Sequence, residues 1–505
     1  MPFIGELPGH WYDAEKDKYF KIEADSLATP TVKYTTSTVK RIAEDRRDAR
    51  LDEKAKRIRR EGTAPRALPP GNLAGALLRR EMGAYVDGAE ADVAAGLWAA
   101  ELAHKGGVRM HDVVNLFVGG DKDTGLAAVF GVFERGQVKT SYFPADVDDE
   151  RDVSRGMRAT QYQGVDFRPR CTHMALGFNA MAFDERSDSL LFVGQQWDGE
   201  LRACSIPARA PALPRRPTWN LSGQHWADIP PPNPPHGPGY SANVCIATPA
   251  SPDTAFLIGT TQGILQLDRS AQPSLSWVQA PVKTERRAAK AARKEIFALD
   301  LLRSNPAHVL LAGGRCGQLC MVDLRAPDGE WVSLDHPSSI AHIKAIDEHH
   351  VLAAGPKSAM AVYDTRYTMR NPPSSGSRAG NNSSTVPVLT FPEYKNASSI
   401  QIGLDVLLGP GYGSGLVAAA HDDGKVALFS IRDGRKLRCP ALDGFNFARP
   451  ALAEVDGPAY LQSNAVVRSL MFQTLPEDQH ASLFVAGRWM VEKFAFSRRV
   501  EECIC

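Results

Sequence analysis

Two stretches of this chain pair an aspartate with an arginine at one spacing. MVDLR at 321–325 carries Asp323 and Arg325, and VYDTR at 362–366 carries Asp364 and Arg366. The two aspartates stand forty-one residues apart. A guanidinium keeps its charge and offers a planar fork of donors, so its chemistry is recognition rather than bond-making. In an extended strand, residues two apart point to the same side. Each aspartate can therefore fix its arginine or cap a turn. Two readings follow: the pairs brace their own elements, or they anchor a partner.

Bond-making chemistry has weaker candidates. The chain has no GxxxxGK[ST], GxSxG or HExxH motif. His349 and His350 in IDEHH read as a turn between strands. Cys316 and Cys320 flank GQL and read as small packing residues, with a redox pair across a hairpin as the alternative. Eight cysteines include no CxxC to complete a zinc pattern with any His pair, which argues against a structural zinc. Cys503-Ile-Cys505 has the form of a CxC prenylation end but reads more simply as a last strand or tail. No enzyme activity, cofactor or metal is expected.

The elements that must position the two pairs form a repeat. Each pair closes a similar phrase, VLLAGGRCGQLCMVDLR and VLAAGPKSAMAVYDTR: an apolar strand, a turn of small residues, a second apolar strand and an acidic step. The phrase recurs at 189–206, 255–269, 415–432 and, with a weaker turn, 482–497. A seventh copy is plausible at 113–136. The runs are short, rich in Val, Leu and Phe, and bounded by Gly, Pro and Asp, which favours strand over helix. Several are apolar throughout, as for strands buried between neighbouring sheets. A period near 40–45 residues is that of a β-propeller blade. The expected fold is all-β, a WD-repeat β-propeller of about seven blades in residues 84–505.

Uneven spacing marks insertions. From Gly199 to Gly263 is 64 residues, from Gly263 to Gly317 is 54, and from Gly317 to Ala359 only 42. Residues 207–238 hold ten prolines and must be a surface loop. Residues 371–385 are low-complexity and read as a flexible loop. Residues 282–298 carry six basic and two acidic residues among alanines and read as partly helical.

Ahead of the ring, residues 1–83 form an extension. Residues 33–70 hold twelve basic and six acidic residues, a charged segment expected to be helical or disordered. KAKRIRR at 54–60 has the form of a nuclear-import signal, and LAGALLRREMG at 73–83 is more amphipathic. Before it, Trp11, Tyr12, Tyr19 and Phe20 flank a polar DAEKDK turn, an expected small hairpin that wants a surface to bury against.

The 505 residues are 43% hydrophobic and 23% charged, with formal net charge +1. That is an ordinary globular composition, with no global argument for nucleic acid. MPFIGELPGH lacks the apolar core of a signal peptide, and no run of ~18 apolar residues could span a membrane. Reduced thiols in the nucleus or cytoplasm are expected.

The opening PGHWYDAEKDKYFKI, then LLAGGRCGQLCMVDLR, then residues 336–366 and 393–437 resemble, in that order, one WD-repeat family. This is the substrate-receptor subfamily of cullin-4 ubiquitin ligases known as cullin-4-associated factor 4 or WD-repeat protein 21, with this chain as a divergent, fungal-like member. In such receptors two consecutive blades end in Trp-Asp-x-Arg. The arginines face the adaptor, damage-specific DNA-binding protein 1. The resemblance implies Arg325 and Arg366 as docking residues, oriented by Asp323 and Asp364. It also implies an unidentified protein substrate. The tryptophan is replaced by Val322 and Tyr363. A third phrase, LFSIR, places Arg432 at the same step, with Ser430 in place of the aspartate. Arg432 and the four N-terminal aromatics are further interface candidates. The alternative is a WD-repeat scaffold in another nuclear complex, for chromatin or RNA processing.

Overall fold

The structure, a computed structural model, describes residues 10–13, 18–22 and most of 95–496. The principal stretches outside the description are 23–94, 145–160, 208–239 apart from Pro232, 279–294, 326–331, 368–385, 410–414 and 448–465. The readings of 33–70, 73–83, 371–385, most of 207–238 and the C-terminal CxC therefore fall outside it. Only the end of the 282–298 stretch is described, and residues 296–298 there are strand rather than helix.

The chain divides into two compact units, Met1–Arg66 and Ala67–Cys505. In the first, β1 (His10–Asp13) and β2 (Lys18–Lys21) make an antiparallel hairpin. Its register sets Trp11 opposite Phe20 and Tyr12 opposite Tyr19.

The second unit is a ring of antiparallel sheets. β3 (Leu102–Arg109) precedes the first sheet, which contains β4 (Val113–Asp121), β5 (Leu126–Phe133) and β6 (Val138–Pro144). A small ribbon, β7 (Gln161–Tyr162) with β8 (Val165–Asp166), leads to its outer strand β9 (Arg170–His173). The second sheet has three described strands, β10 (Gly177–Asp184), β11 (Ser189–Gln195) and β12 (Leu201–Pro207). The third is β13 (Ala242–Ala247), β14 (Thr254–Thr260), β15 (Ile264–Asp268) and β16 (Leu275–Trp277). The fourth is β17 (Ile296–Leu301), β18 (Val309–Gly314), β19 (Gln318–Asp323) and β20 (Val332–Asp335). The fifth is β21 (His342–Ala345), β22 (His350–Gly355), β23 (Ala359–Asp364) and β24 (Leu389–Thr390). The sixth is β25 (Leu404–Leu408), β26 (Gly415–Ala420), β27 (Val426–Ser430) and β28 (Lys436–Leu437). The seventh is β29 (Ser469–Gln473), β30 (Ser482–Ala486) and β31 (Met490–Phe496), completed by β3 as its fourth strand.

The first strand of each sheet touches the first strand of the next, from β4 through β10, β13, β17, β21 and β25 to β29, and β29 touches β4. The ring is closed and has seven blades. It is an all-β propeller, with full closure leaving only short outer edges.

Burial explains the apolar strands. In β22, Val351 and Ala353 join a cluster shared with the fourth sheet, while Leu352 and Ala354 join one shared with the sixth. In β26, Val417 and Ala419 face the fifth sheet and Ala418 and Ala420 face the seventh. Alternation at period two is intact, but both faces are covered, so the pattern reads as continuous hydrophobicity. Six of the seven repeat phrases fall on the second and third strands of their sheets. The phrase at 113–136 instead covers β4 and β5, the first two strands, so its register is offset by one strand.

The turns between second and third strands follow the expected chemistry in the third, fourth and sixth sheets, with Gly263, Gly317 and Gly424 at positive φ. In the fifth sheet the left-handed positions are Lys357 and Ser358. Their N–H groups donate to the carbonyls of Ala397 at 3.1 Å and Asn396 at 2.6 Å, which holds the strained turn.

Around the central channel, side chains lace first strands together. Lys344 Nζ lies 2.7 Å from Asp405 Oδ1, and Asp405 Oδ2 accepts the Phe472 N–H at 2.8 Å. Asp300 Oδ2 accepts the Ala345 N–H at 2.6 Å, and Arg303 Nε donates to the Ala345 carbonyl at 2.9 Å.

Phe429 lies fully buried between the fifth and sixth sheets, edge-on to Phe391. We expect Phe429→Ala to lower unfolding free energy by about 3–5 kcal/mol, measured by urea denaturation. A change under about 1 kcal/mol would mean that these two sheets do not pack as described.

Candidate docking face

Asp323, Asp364 and Ser430 are the last residues of the third strands β19, β23 and β27. Their partners, Val309, His350 and Leu416, lie on the adjoining second strands. All three positions thus sit at the same end of their blades. That end carries the turns joining first to second and third to fourth strands.

At two of them the chain folds back on its aspartate. The Arg325 N–H donates to Asp323 Oδ1 at 3.0 Å, and its guanidinium spans the carboxylate with Nε–Oδ1 3.0 Å and Nη2–Oδ2 2.8 Å. In the next sheet the Arg366 N–H donates to Asp364 Oδ1 at 2.9 Å, with Nε–Oδ1 3.0 Å and Nη2–Oδ2 2.7 Å. The two motifs are geometrically one device: a bidentate fork closed on a turn, written by a two-residue spacing. Both arginine side chains remain exposed, at 58% and 54%.

The two aspartates differ in depth. Asp323 is 38% exposed and Asp364 only 4%. Hydrogen bonds from Arg325 hold the Asp323 carboxyl at about 2. Burial pushes Asp364 up, but bonds from Arg366 more than offset this, and its carboxyl is lowered. Behind Asp364 stands His350, whose Nε2 is 3.8 Å from Oδ2. His350 Nδ1 contacts Asp347 Oδ2 at 2.9 Å, and Asp347 Oδ1 accepts the N–H groups of His349 and His350, both at 2.8 Å. IDEHH is therefore a capped turn that supports the fork, as its reading as a turn implied.

The replaced tryptophan position is filled in two ways. Tyr363 is 1% exposed in the core between fourth and fifth sheets, and its hydroxyl meets His336 Nδ1 at 2.9 Å. A tyrosine there keeps both a large ring and a polar contact. Val322 packs between the third and fourth sheets with Leu257 and Leu310 and supplies volume alone.

Arg432 follows Ser430 at the expected step and is half-buried. With a serine in the aspartate's place, a related Asp–Arg closure forms three residues later, without the second guanidinium bond to the carboxylate that the other two make. The Arg435 N–H donates to Asp433 Oδ1 at 3.1 Å, and its Nε bonds Asp433 Oδ2. Sequence reasoning passed over this pair although Asp433-Gly434-Arg435 has the same spacing as the other two. The repeat phrase closes at Arg432, and this pair falls just past its end. A fourth arginine, Arg269, bridges blades instead: Nη1 bonds Asp184 Oδ2 at 2.7 Å and Nη2 the Thr248 carbonyl at 3.0 Å. Eighty-five residues separate Arg269 from Asp184, and no local pattern could have joined them.

The cysteines behave differently from each other. Cys320 is buried in β19 and Cys316 is exposed in the preceding turn, and both are free thiols. Cys320 faces Ala312 across the ladder rather than Cys316. The N-terminal aromatics lie in the hairpin of the other unit. Among the described residues, no three His, Cys, Asp or Glu side chains converge as a metal site, and no helix is long and apolar enough to cross a membrane.

Burial lowers His336 to about 4, and His342, on the channel strand β21, likewise to about 4. Both histidines are neutral in the folded protein and take up protons on unfolding below about 6.5. Stability is therefore complete above 6.5 and falls as pH drops toward 4, by up to about 3 kcal/mol for each histidine. Asp300, raised by burial, works in the opposite direction. Urea titrations at pH 7 and pH 5 should show the loss, and His336→Asn should reduce it. A pH dependence left unchanged by His336→Asn would contradict a neutral, buried His336.

No protein-family model matches the sequence, and no curated protein matches it significantly. Solved structures similar to this chain include the WD40 β-propeller domain of Doa1, at 11% identity and TM-score 0.46, covering 79% of this chain and 98% of that one. The β-propeller domain of Cps50 (Swd1) from Myceliophteria thermophila is similar at 11% identity and TM-score 0.45, covering 77% and 98%. The computationally designed protein Ika8 is similar at 11% identity and TM-score 0.40, covering 79% and 99%.

Proposed function

We propose that this chain is a binding module rather than a catalyst, and that it serves as a substrate receptor of a cullin-4 RING ubiquitin ligase. One face of the ring docks on an adaptor of the damage-specific DNA-binding protein 1 type. Another holds a protein target. The receptor then accelerates ubiquitin transfer by proximity alone. The observation that carries this reading is the matched pair of forks, Asp323–Arg325 and Asp364–Arg366, in consecutive blades on one face.

The physics of the forks supports it. Here the aspartates are the deeper partners and the guanidiniums stay at the surface. An arginine already held in one orientation loses little rotamer freedom when a partner arrives. The order of the sequence elements, from aromatic hairpin through basic segment to propeller, is similar to the receptor family and adds the identity of the ligase.

Affinity purification of the tagged protein beside the Arg325→Ala/Arg366→Ala double variant tests the reading. Wild type should retrieve the adaptor and cullin-4. The variant, with an unchanged melting temperature, should bind roughly thirtyfold or more weakly, since truncating a buried charged anchor costs about 2–5 kcal/mol of binding. If wild type retrieves neither protein, the receptor reading falls and a scaffold in another complex takes its place. If both retrieve them equally, the forks only brace their blades.

A further inference from the structure

The third fork was not anticipated, and its surroundings say more than its spacing. We infer that Arg435 and Arg366 are the principal anchors of the docking face, which is therefore centred on the fifth and sixth blades rather than the fourth and fifth. The partner surface they fit is an acidic protein surface presenting carboxylates. This inference rests on the receptor reading and refines it.

Three observations carry it. The first is depth. Asp433 is 6% exposed and Asp364 is 4%, whereas Asp323 is 38%. In depth Asp433–Arg435 therefore matches Asp364–Arg366, although its guanidinium meets the carboxylate through Nε rather than through Nε and Nη2. A fork whose carboxylate is shielded from water holds its guanidinium more firmly than one whose carboxylate is solvated. Arg435 itself keeps 42% of its side chain exposed.

The second is seating. The turn carrying Arg435 closes through the Gly434 N–H to Ser430 carbonyl bond at 2.9 Å and the Ser430 N–H to Arg435 carbonyl bond at 3.0 Å. Gly434 has φ +71°, and a Cβ there would lie 2.3 Å from the carbonyl oxygen of Thr390. Thr390 ends β24, the outer strand of the fifth blade. The turn is thus pressed onto the outer strand of the blade that carries Arg366.

The third is charge. Residues 432–438, RDGRKLR, hold four basic residues against one acidic. Of these, Lys436 Nζ lies 3.1 Å from Asp443 Oδ1, which leaves Arg435 as the basic group paired at the turn itself. A basic segment of this kind attracts carboxylates and gives binding a salt dependence.

The test is a set of dissociation constants for the purified adaptor, measured with wild type and with Arg325→Ala, Arg366→Ala and Arg435→Ala, each checked by melting temperature. Arg366→Ala and Arg435→Ala should each weaken binding tenfold or more, and Arg325→Ala by clearly less. Arg435→Ala should also flatten the salt dependence. If Arg435→Ala lowers the melting temperature, Arg435→Lys replaces it. That variant keeps stem and charge but gives up the fork, and the same weakening is expected. Wild-type affinity in Arg435→Ala, with loss in Arg325→Ala and Arg366→Ala, would overturn the inference and leave the receptor reading standing. No adaptor binding by wild type would sink both. Binding of a DNA duplex by wild type that Arg435→Ala abolishes, with adaptor affinity unmoved, would replace the acidic protein surface by phosphate.

Discussion

Every blade of this ring depends on burying two faces at once. A four-stranded sheet as apolar as β21–β24 cannot stand in water. Val351 and Ala353 need the fourth blade, and Leu352 and Ala354 need the sixth. Each sheet is the solvent substitute for its neighbours, and the requirement passes around until the ring returns to its start. The cost of one missing contact is therefore shared, and local sequence can drift as long as volume on both faces is kept. That freedom is visible where Val322 and Tyr363 occupy equivalent positions with different sizes and different polar needs.

The forks exploit the rigidity so produced. Strand ends in a closed ring are held by packing on both sides, so a turn at the end of a third strand begins from a defined place. Two residues later an arginine can return to the aspartate without ordering anything else. The same end of three successive blades then shows three guanidiniums at fixed positions, although the exact step differs in the sixth. Recognition built this way needs few residues because the scaffold has already been immobilised by its core.

Much of this was legible in the chain. The repeat phrase, its apolar strands and glycine turns located six of seven strand pairs, because strand length, turn chemistry and burial all act locally. The seventh phrase, 113–136, was offset by one strand because its first two strands look like any other apolar hairpin. The pairs 323/325 and 364/366 were found for the same local reason. Asp433–Arg435 was overlooked because it follows the phrase instead of closing it, and Lys357–Ser358 because only tertiary bonds to residues 396 and 397 let non-glycine residues adopt positive φ. Arg269–Asp184 and the His336–Tyr363 contact join distant segments, and only the folded ring brings them together.

The seventh blade is made from both ends of the ring. β3 pairs along β31 from Leu102 opposite Phe496 to Arg109 opposite Met490. A ribosome synthesises β3 nearly four hundred residues before its partner. Throughout that interval β3 has no ladder, and the blades already made form an open arc with an uncovered apolar face at each end. Contacts of such sequence separation are slow to form, and exposed strand edges invite pairing with other chains. The lifetime of the nascent chain before its last strand emerges is thus the period of greatest aggregation risk, and a chaperone that shields the arc would matter most then.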